Sequence, residues 1–186
     1  MAARRTMDDQ DRPRREPTGF LRSAHAQLRP AVGELARTAA GLGRWSARRS
    51  PARLASAVGA LETEIIPWLA AEQRLVYPVA ERHLGGAIAV AALRHSYLDL
   101  RRRADALAAL SARLRDRPPT AAELDALRAG LYGLWATVSQ HLSMEEATLF
   151  AGLDEACGPG ELEALAPELG AVAPRLATEA GTARRG

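Results

Sequence analysis

Four stretches of this chain repeat apolar residues at alternating steps of three and four, and each ends at glycine or proline. That pattern belongs to amphipathic helices packed side by side. In the first stretch Leu21, His25, Leu28, Val32, Leu35, Ala39 and Leu42 share one face, which fades at Gly41 and Gly43. The second opens at Ser50-Pro51, an N-cap followed by a first-turn proline, and runs through Leu54, Val58, Leu61, Ile65, Trp68, Glu72, Leu75 and Val79 to Gly85-Gly86. The third sets Ile88, Ala92, His95 and Asp99 on one stripe, with Leu100, Leu107, Leu110 and Leu114 farther along, and ends before Pro118-Pro119. The fourth begins with a capping box, Thr120 to Glu123, and continues Leu124, Leu127, Leu131, Leu134, Val138, His141, Glu145 and Leu149 to Gly158-Pro159. Four long helices joined by short turns predict an all-α, antiparallel up-down four-helix bundle over residues 18–157. Residues 1–17 read as a disordered charged arm, and 158–186 as a tail holding one short helix near 160–169.

Composition agrees with helices. Hydrophobic residues make up 47% but aromatics only 4%, and Ala, Leu, Arg and Glu dominate over β-branched residues. All 25 basic residues are Arg, spread over every segment, and the net charge of +3 leaves no nucleic-acid footprint. Cys157 stands alone, so no intramolecular disulfide supports the fold. No apolar run is expected to reach membrane-spanning length, and the N-terminus lacks a signal-peptide core, so a cytoplasmic location with no membrane partner is expected. Pro30, Pro67 and Pro78 fall inside helices, and Pro67 is expected to bend the chain just before Trp68.

Polar residues interrupt the inward stripes. His25, Glu72, His95, His141 and Glu145 stand where a packed core demands apolar side chains. Carboxylates are rarely buried without a charged partner or a metal, so the set reads either as His–Glu ion pairs or as a metal site. A His and a Glu four residues apart lie one turn apart on the same face, so one helix can offer an ion both an imidazole and a carboxylate. "WLAAEQRLVYP" (68–78) and "HLSMEEATLFA" (141–151) overlay without a gap, matching Glu72 to Glu145 and Tyr77 to Phe150. The leading residue changes character, Trp68 against His141.

In order along the chain, "SAHAQLR" (His25), "WLAAE" (Trp68, Glu72), "LRHSYLDL" (His95) and "HLSMEE" (His141, Glu145) resemble the hemerythrin-like, or HHE cation-binding, domain family. That family's pattern is His, His-x-x-x-Glu, His, His-x-x-x-Glu, one element per helix, and the resemblance covers about residues 18–156. It implies a non-haem di-iron, or other divalent-metal, centre bridged by carboxylates and held by His25, Glu72, His95, His141 and Glu145. Mn or Zn is an alternative metal. Trp68 departs from the pattern, since an indole is no ordinary ligand. Mapped onto the family, one ion keeps His95 and His141, and the other keeps only His25. Glu64, Asp99, Glu146, Tyr77, Tyr97 and Tyr132 are the neighbours that could replace the missing imidazole; Glu64 and Glu146 also read as surface acids, Asp99 as the partner of Arg102 or Arg103, and each Tyr as boundary packing. His83 reads as a helix C-terminal residue, and Trp45 and Trp135 as packing residues.

The resemblance implies binding or sensing of O2, NO or peroxide at open coordination positions. The alternative is a degenerate bundle with one metal or none that serves as an interaction or regulatory module. An oxidase or peroxidase needs a substrate pocket that no residue here identifies, and the protein partner is left open.

Overall fold

The computed structural model describes residues 16–44, 49–114, 117–158 and 160–183, and the described residues are helical with no strand. Trp45 and most of the expected N-terminal arm lie outside them. Helix α1 spans Gly19–Gly41. The second helical stretch comprises α2 (Arg49–Ala60), a π-helical turn at Leu61–Ile65, α3 (Ile66–Leu75) and α4 (Tyr77–His83). Next come α5 (Ile88–Arg113) and α6 (Ala121–Met144), then a second π-turn at Glu145–Phe150 and α7 (Ala151–Ala156). A 3-10 turn at Glu163–Leu165 leads into α8 (Ala166–Ala183).

Helix boundaries follow local chemistry. The Thr120 hydroxyl accepts from the Glu123 amide while the Glu123 carboxylate accepts from the Thr120 amide, which satisfies two donors that α6 would otherwise leave orphaned. Gly85 and Gly86 turn the chain out of α4 at φ 98° and 80°, a conformation costly for residues with a Cβ. The start of α1 is clasped to α7, where Asp154 accepts 2.9 Å hydrogen bonds from the Thr18 amide, the Thr18 hydroxyl and Arg22.

Proline and threonine mark the two distortions. Pro67 has no amide to give the carbonyl four residues back, and just before it the Ile66 N–H reaches five residues back to Leu61. Each π-turn also contains a threonine whose hydroxyl bonds the carbonyl four residues earlier, Thr63 to Gly59 and Thr148 to Met144. Thr137 makes the same bond within regular α6, so the hydroxyl accompanies the distortion without sufficing for it.

The core forms two apolar clusters. One gathers Leu28, Val32, Leu35, Leu61, Ile65, Leu69, Leu100, Leu131, Leu134, Val138 and Leu142, and the other gathers Leu21, Val76, Tyr77, Val90, Leu93, Leu149, Phe150, Leu162 and Leu169. Trp68, partly buried, packs against both.

Three expectations are corrected here. The C-terminal region is more than a tail with a short helix: α8 runs 18 residues, lies against α3 and its preceding π-turn, and contributes the fully buried Leu169 to the core. The stretch Pro51–His83 is, by length and mean hydropathy, apolar enough to cross a bilayer, although half of its most apolar window is buried within the protein, as in a core helix. The α5 register also differs. Its buried residues are Val90, Leu93, Leu100, Ala104 and Leu107, which leaves Ile88 84% exposed and turns His95 to solvent.

Candidate metal centre

His25 lies between Leu21 and Leu28 on α1, where one apolar cluster gives way to the other, and it is fully buried together with Glu72, His141 and Glu145. These four side chains form a polar layer across the core. His25 Nε2 is 3.1 Å from Glu72 Oε1 and 3.4 Å from Glu145 Oε2, the latter within ion-pair distance but outside good hydrogen-bond geometry. His141 Nε2 lies 3.4 Å from Glu145 Oε1, and its Nδ1 lies 3.1 Å from the Ser96 hydroxyl. The Tyr77 hydroxyl donates to Glu145 Oε1 at 2.6 Å and sits 3.5 Å from His141 Nε2.

A helical spacing problem is solved twice over. Glu72 and Tyr77 are five residues apart, as are Glu145 and Phe150, and all four are fully buried. In a regular α-helix such a pair diverges by about 140° around the axis, so one member would face away from the core. Between Glu72 and Tyr77 the helix breaks at Val76, ahead of Pro78; between Glu145 and Phe150 it widens into the π-turn. The two copies thus reach one arrangement by different backbone routes.

The second π-turn also brings Glu146 into play. Its Oε1 lies 3.1 Å from His25 Nδ1, while Arg29 binds both of its carboxylate oxygens at 2.7 and 2.8 Å. Consecutive glutamates therefore approach opposite nitrogens of one imidazole. The sequence offered Glu146 only as a candidate beside surface acids, and no periodicity distinguishes it, because the widened turn is what directs it to His25.

The electrostatics are those of a site short of positive charge. Burial pushes the Glu72 carboxyl up to about 7, helped by the charge of Glu145 and opposed by His25 and the Trp68 indole. For His25, burial acts to lower its pKa, but the Glu72 hydrogen bond and the charges of Glu72 and Glu145 outweigh it and the net shift is upward. Burial and the Glu145 charge hold the Tyr77 phenol well above its ordinary range. The Trp68 N–H is buried without an acceptor in good geometry, close enough to Glu72 to favour its ionised form yet short of a full bond.

Of the five residues expected to converge, four do. His95 does not: it is exposed on α5, and Ser96 takes the place facing His141. The two positions mapped from the family pattern therefore differ in the donors they can draw on. One supported by His95 and His141 loses an imidazole, whereas His25, Glu72 and Glu145 offer three ligand atoms within 4.8 Å of one another. Among the suggested replacements, Glu64 is exposed, Asp99 pairs with Arg102 and Arg103, Tyr97 is partly buried and Tyr132 is exposed. Tyr77 and Glu146 are the two that touch the layer. Trp135, expected to pack, is 41% exposed.

A family model, the hemerythrin HHE cation binding domain, matches residues 16–153. The chain belongs to the hemerythrin HHE family. No match was found among curated proteins or solved structures. Members of this family bind metal cations, commonly iron, and the donor set here fits such an ion. Glu72 Oε2 and Glu145 Oε2 are buried without a hydrogen bond, a costly state for carboxylates that a bound cation relieves. Imidazole and carboxylate together suit iron, manganese or zinc.

Proposed function

We propose that this HHE domain holds one divalent cation, iron foremost and Mn or Zn as alternatives, through His25, Glu72 and Glu145. In this reading it binds or senses a small oxidant such as O2, NO or peroxide. The observation that carries it is the pair of orphaned carboxylate oxygens beside His25 in a layer sealed by apolar clusters. A bound iron would supply a Lewis-acidic and redox-active position with room for a small ligand. The chain's own residues do the rest: Arg29 and Glu146 fix the outer nitrogen of His25, Tyr77 holds one Glu145 oxygen, and Trp68 crowds the place where the family pattern carries another imidazole. His141, with Glu145 and Tyr77 beside it, is the remnant of a second position. The four long segments are taken as an antiparallel up-down bundle with α8 added along α3, acting in the cytoplasm without nucleic-acid or membrane partners.

A second reading, a metal-free interaction module, is favoured by one feature. His25 already neutralises part of the charge by pairing with both carboxylates, which gives a partly self-compensated core without an ion. Metal analysis and absorption spectroscopy of protein from iron-supplemented cells decide between them. Close to one iron per chain, lost in His25→Ala, supports the cation site; colourless protein without stoichiometric metal supports the module.

A further inference from the structure

Away from this layer, three side chains from separate segments meet where α8 joins the rest of the protein. His83 is the last residue of α4, Cys157 follows α7 in an extended conformation at φ −90° and ψ 140°, and Glu161 comes after Gly160, which turns the chain at φ 92°. His83 Nε2 lies 3.1 Å from Glu161 Oε1, and one ligand atom from each of the three residues falls within 4.8 Å of the others. Cys157 is a free, buried thiol at the edge of the second apolar cluster, while His83 and Glu161 lie toward solvent.

We propose that His83, Cys157 and Glu161 form a second metal site for a borderline-soft divalent cation of the zinc class, with solvent completing the coordination. The proposal is independent of the His25 layer. Thiolate, imidazole and carboxylate are the donors zinc takes, with bonds of about 2.0–2.3 Å in a tetrahedron, so its ligand atoms stand roughly 3.3–3.8 Å apart. The observed spacing needs only a small inward turn of exposed side chains. In the free protein burial, then the charge of Glu161, raises the thiol pKa, and the His83 hydrogen bond, then Arg82, lowers that of Glu161. A carboxylate already ionised is thus on hand, and on binding, the Cys157 S–H bond breaks, its proton leaves to solvent and the sulfur–metal bond forms, with no change of oxidation state. The ion would tie the end of α4, the end of α7 and the approach to α8 at one point.

Cys157 is the only cysteine in the chain, which makes the test specific even though the His25 layer can also take metal. Co2+ is titrated into the full chain while thiolate-to-cobalt absorption is followed, and alkylation of Cys157 is timed with and without stoichiometric Zn2+. The expected result is a thiolate band with the amplitude of one thiolate-bound Co2+ per chain, which disappears in Cys157→Ser and needs about tenfold or more Co2+ in His83→Gln and Glu161→Gln, with alkylation slowed at least tenfold by Zn2+. No thiolate band together with unprotected alkylation in the parent chain would overturn the proposal. So would a band whose affinity is unchanged in both His83→Gln and Glu161→Gln, since the thiol would then be binding alone.

Discussion

Tyr77 donates a 2.6 Å hydrogen bond to Glu145 across 68 residues of sequence, linking α4 to the second π-turn inside the buried polar layer. Tyr77→Phe keeps the ring and removes the donor, leaving that carboxylate oxygen with His141 at 3.4 Å. A loss of about 1–3 kcal/mol is expected for leaving a buried acceptor without its donor, read as a lower denaturant midpoint at unchanged slope. An unchanged midpoint means the bond contributes nothing net.

Metal-free protein should be more stable at pH 5 than at pH 8. Glu72 keeps its proton in the folded state up to about 7, against 4.5 when unfolded, so folding loses stability as pH rises through that window. His25, raised above 6.5, acts in the same sense: its pairing with the charge of Glu145 is present below 6.5 and is lost as pH climbs through its folded value. The lowered carboxyls of Glu34, Asp99, Glu123 and Glu161 matter only below about 4.5 and oppose further acidification there. Glu72 alone corresponds to about 3 kcal/mol. Thermal midpoints in chelator from pH 5 to 8 check this, and saturating metal should reverse the slope, because its ligands bind deprotonated.

Trp68→His should raise metal content. The substitution restores an imidazole one turn from Glu72 and removes an indole whose N–H has no good acceptor. It also removes packing against both apolar clusters, at a cost of about 3 kcal/mol in the metal-free state. Elemental analysis and midpoints with and without iron test both halves. A folded variant with no more metal than the parent places residue 68 outside ligand reach.

His95→Ala should be nearly silent, within about 0.5 kcal/mol and without effect on metal stoichiometry, because His95 faces solvent. His25→Ala should abolish the cation site. Equal losses in both variants would return His95 to the centre.

Helix positions were legible because their ends are written in residues with one dominant use, such as the Thr120 capping box and the Gly85-Gly86 turn. His25, Glu72, His141 and Glu145 were legible because charge on an apolar stripe is rare. The register of α5 was not, since its Ala- and Leu-rich sequence supports more than one stripe. A signal was present: Leu93, Leu100 and Leu107 recur every seven residues, and His95, two residues past Leu93, lies about 200° around the helix from that line. Leu162, Leu169 and Val172 likewise marked an inward face in the Ala- and Pro-rich C-terminal region. The role of Glu146 had no such marker, because it depends on a turn of five-residue hydrogen bonds that intrinsic propensities do not encode.

The family match stops at residue 153, yet Leu162 and Leu169 share a fully enclosed cluster with Val79, Ala80 and Phe150. Domain limits drawn at that point would cut through a packed interior and leave a greasy flank on the second helical stretch open to water. A chain cut short there would need polar side chains on the same flank, or a second surface laid against it, to stay soluble. The inner face of α8 is therefore as much this chain's own interior wall as the helices inside the match.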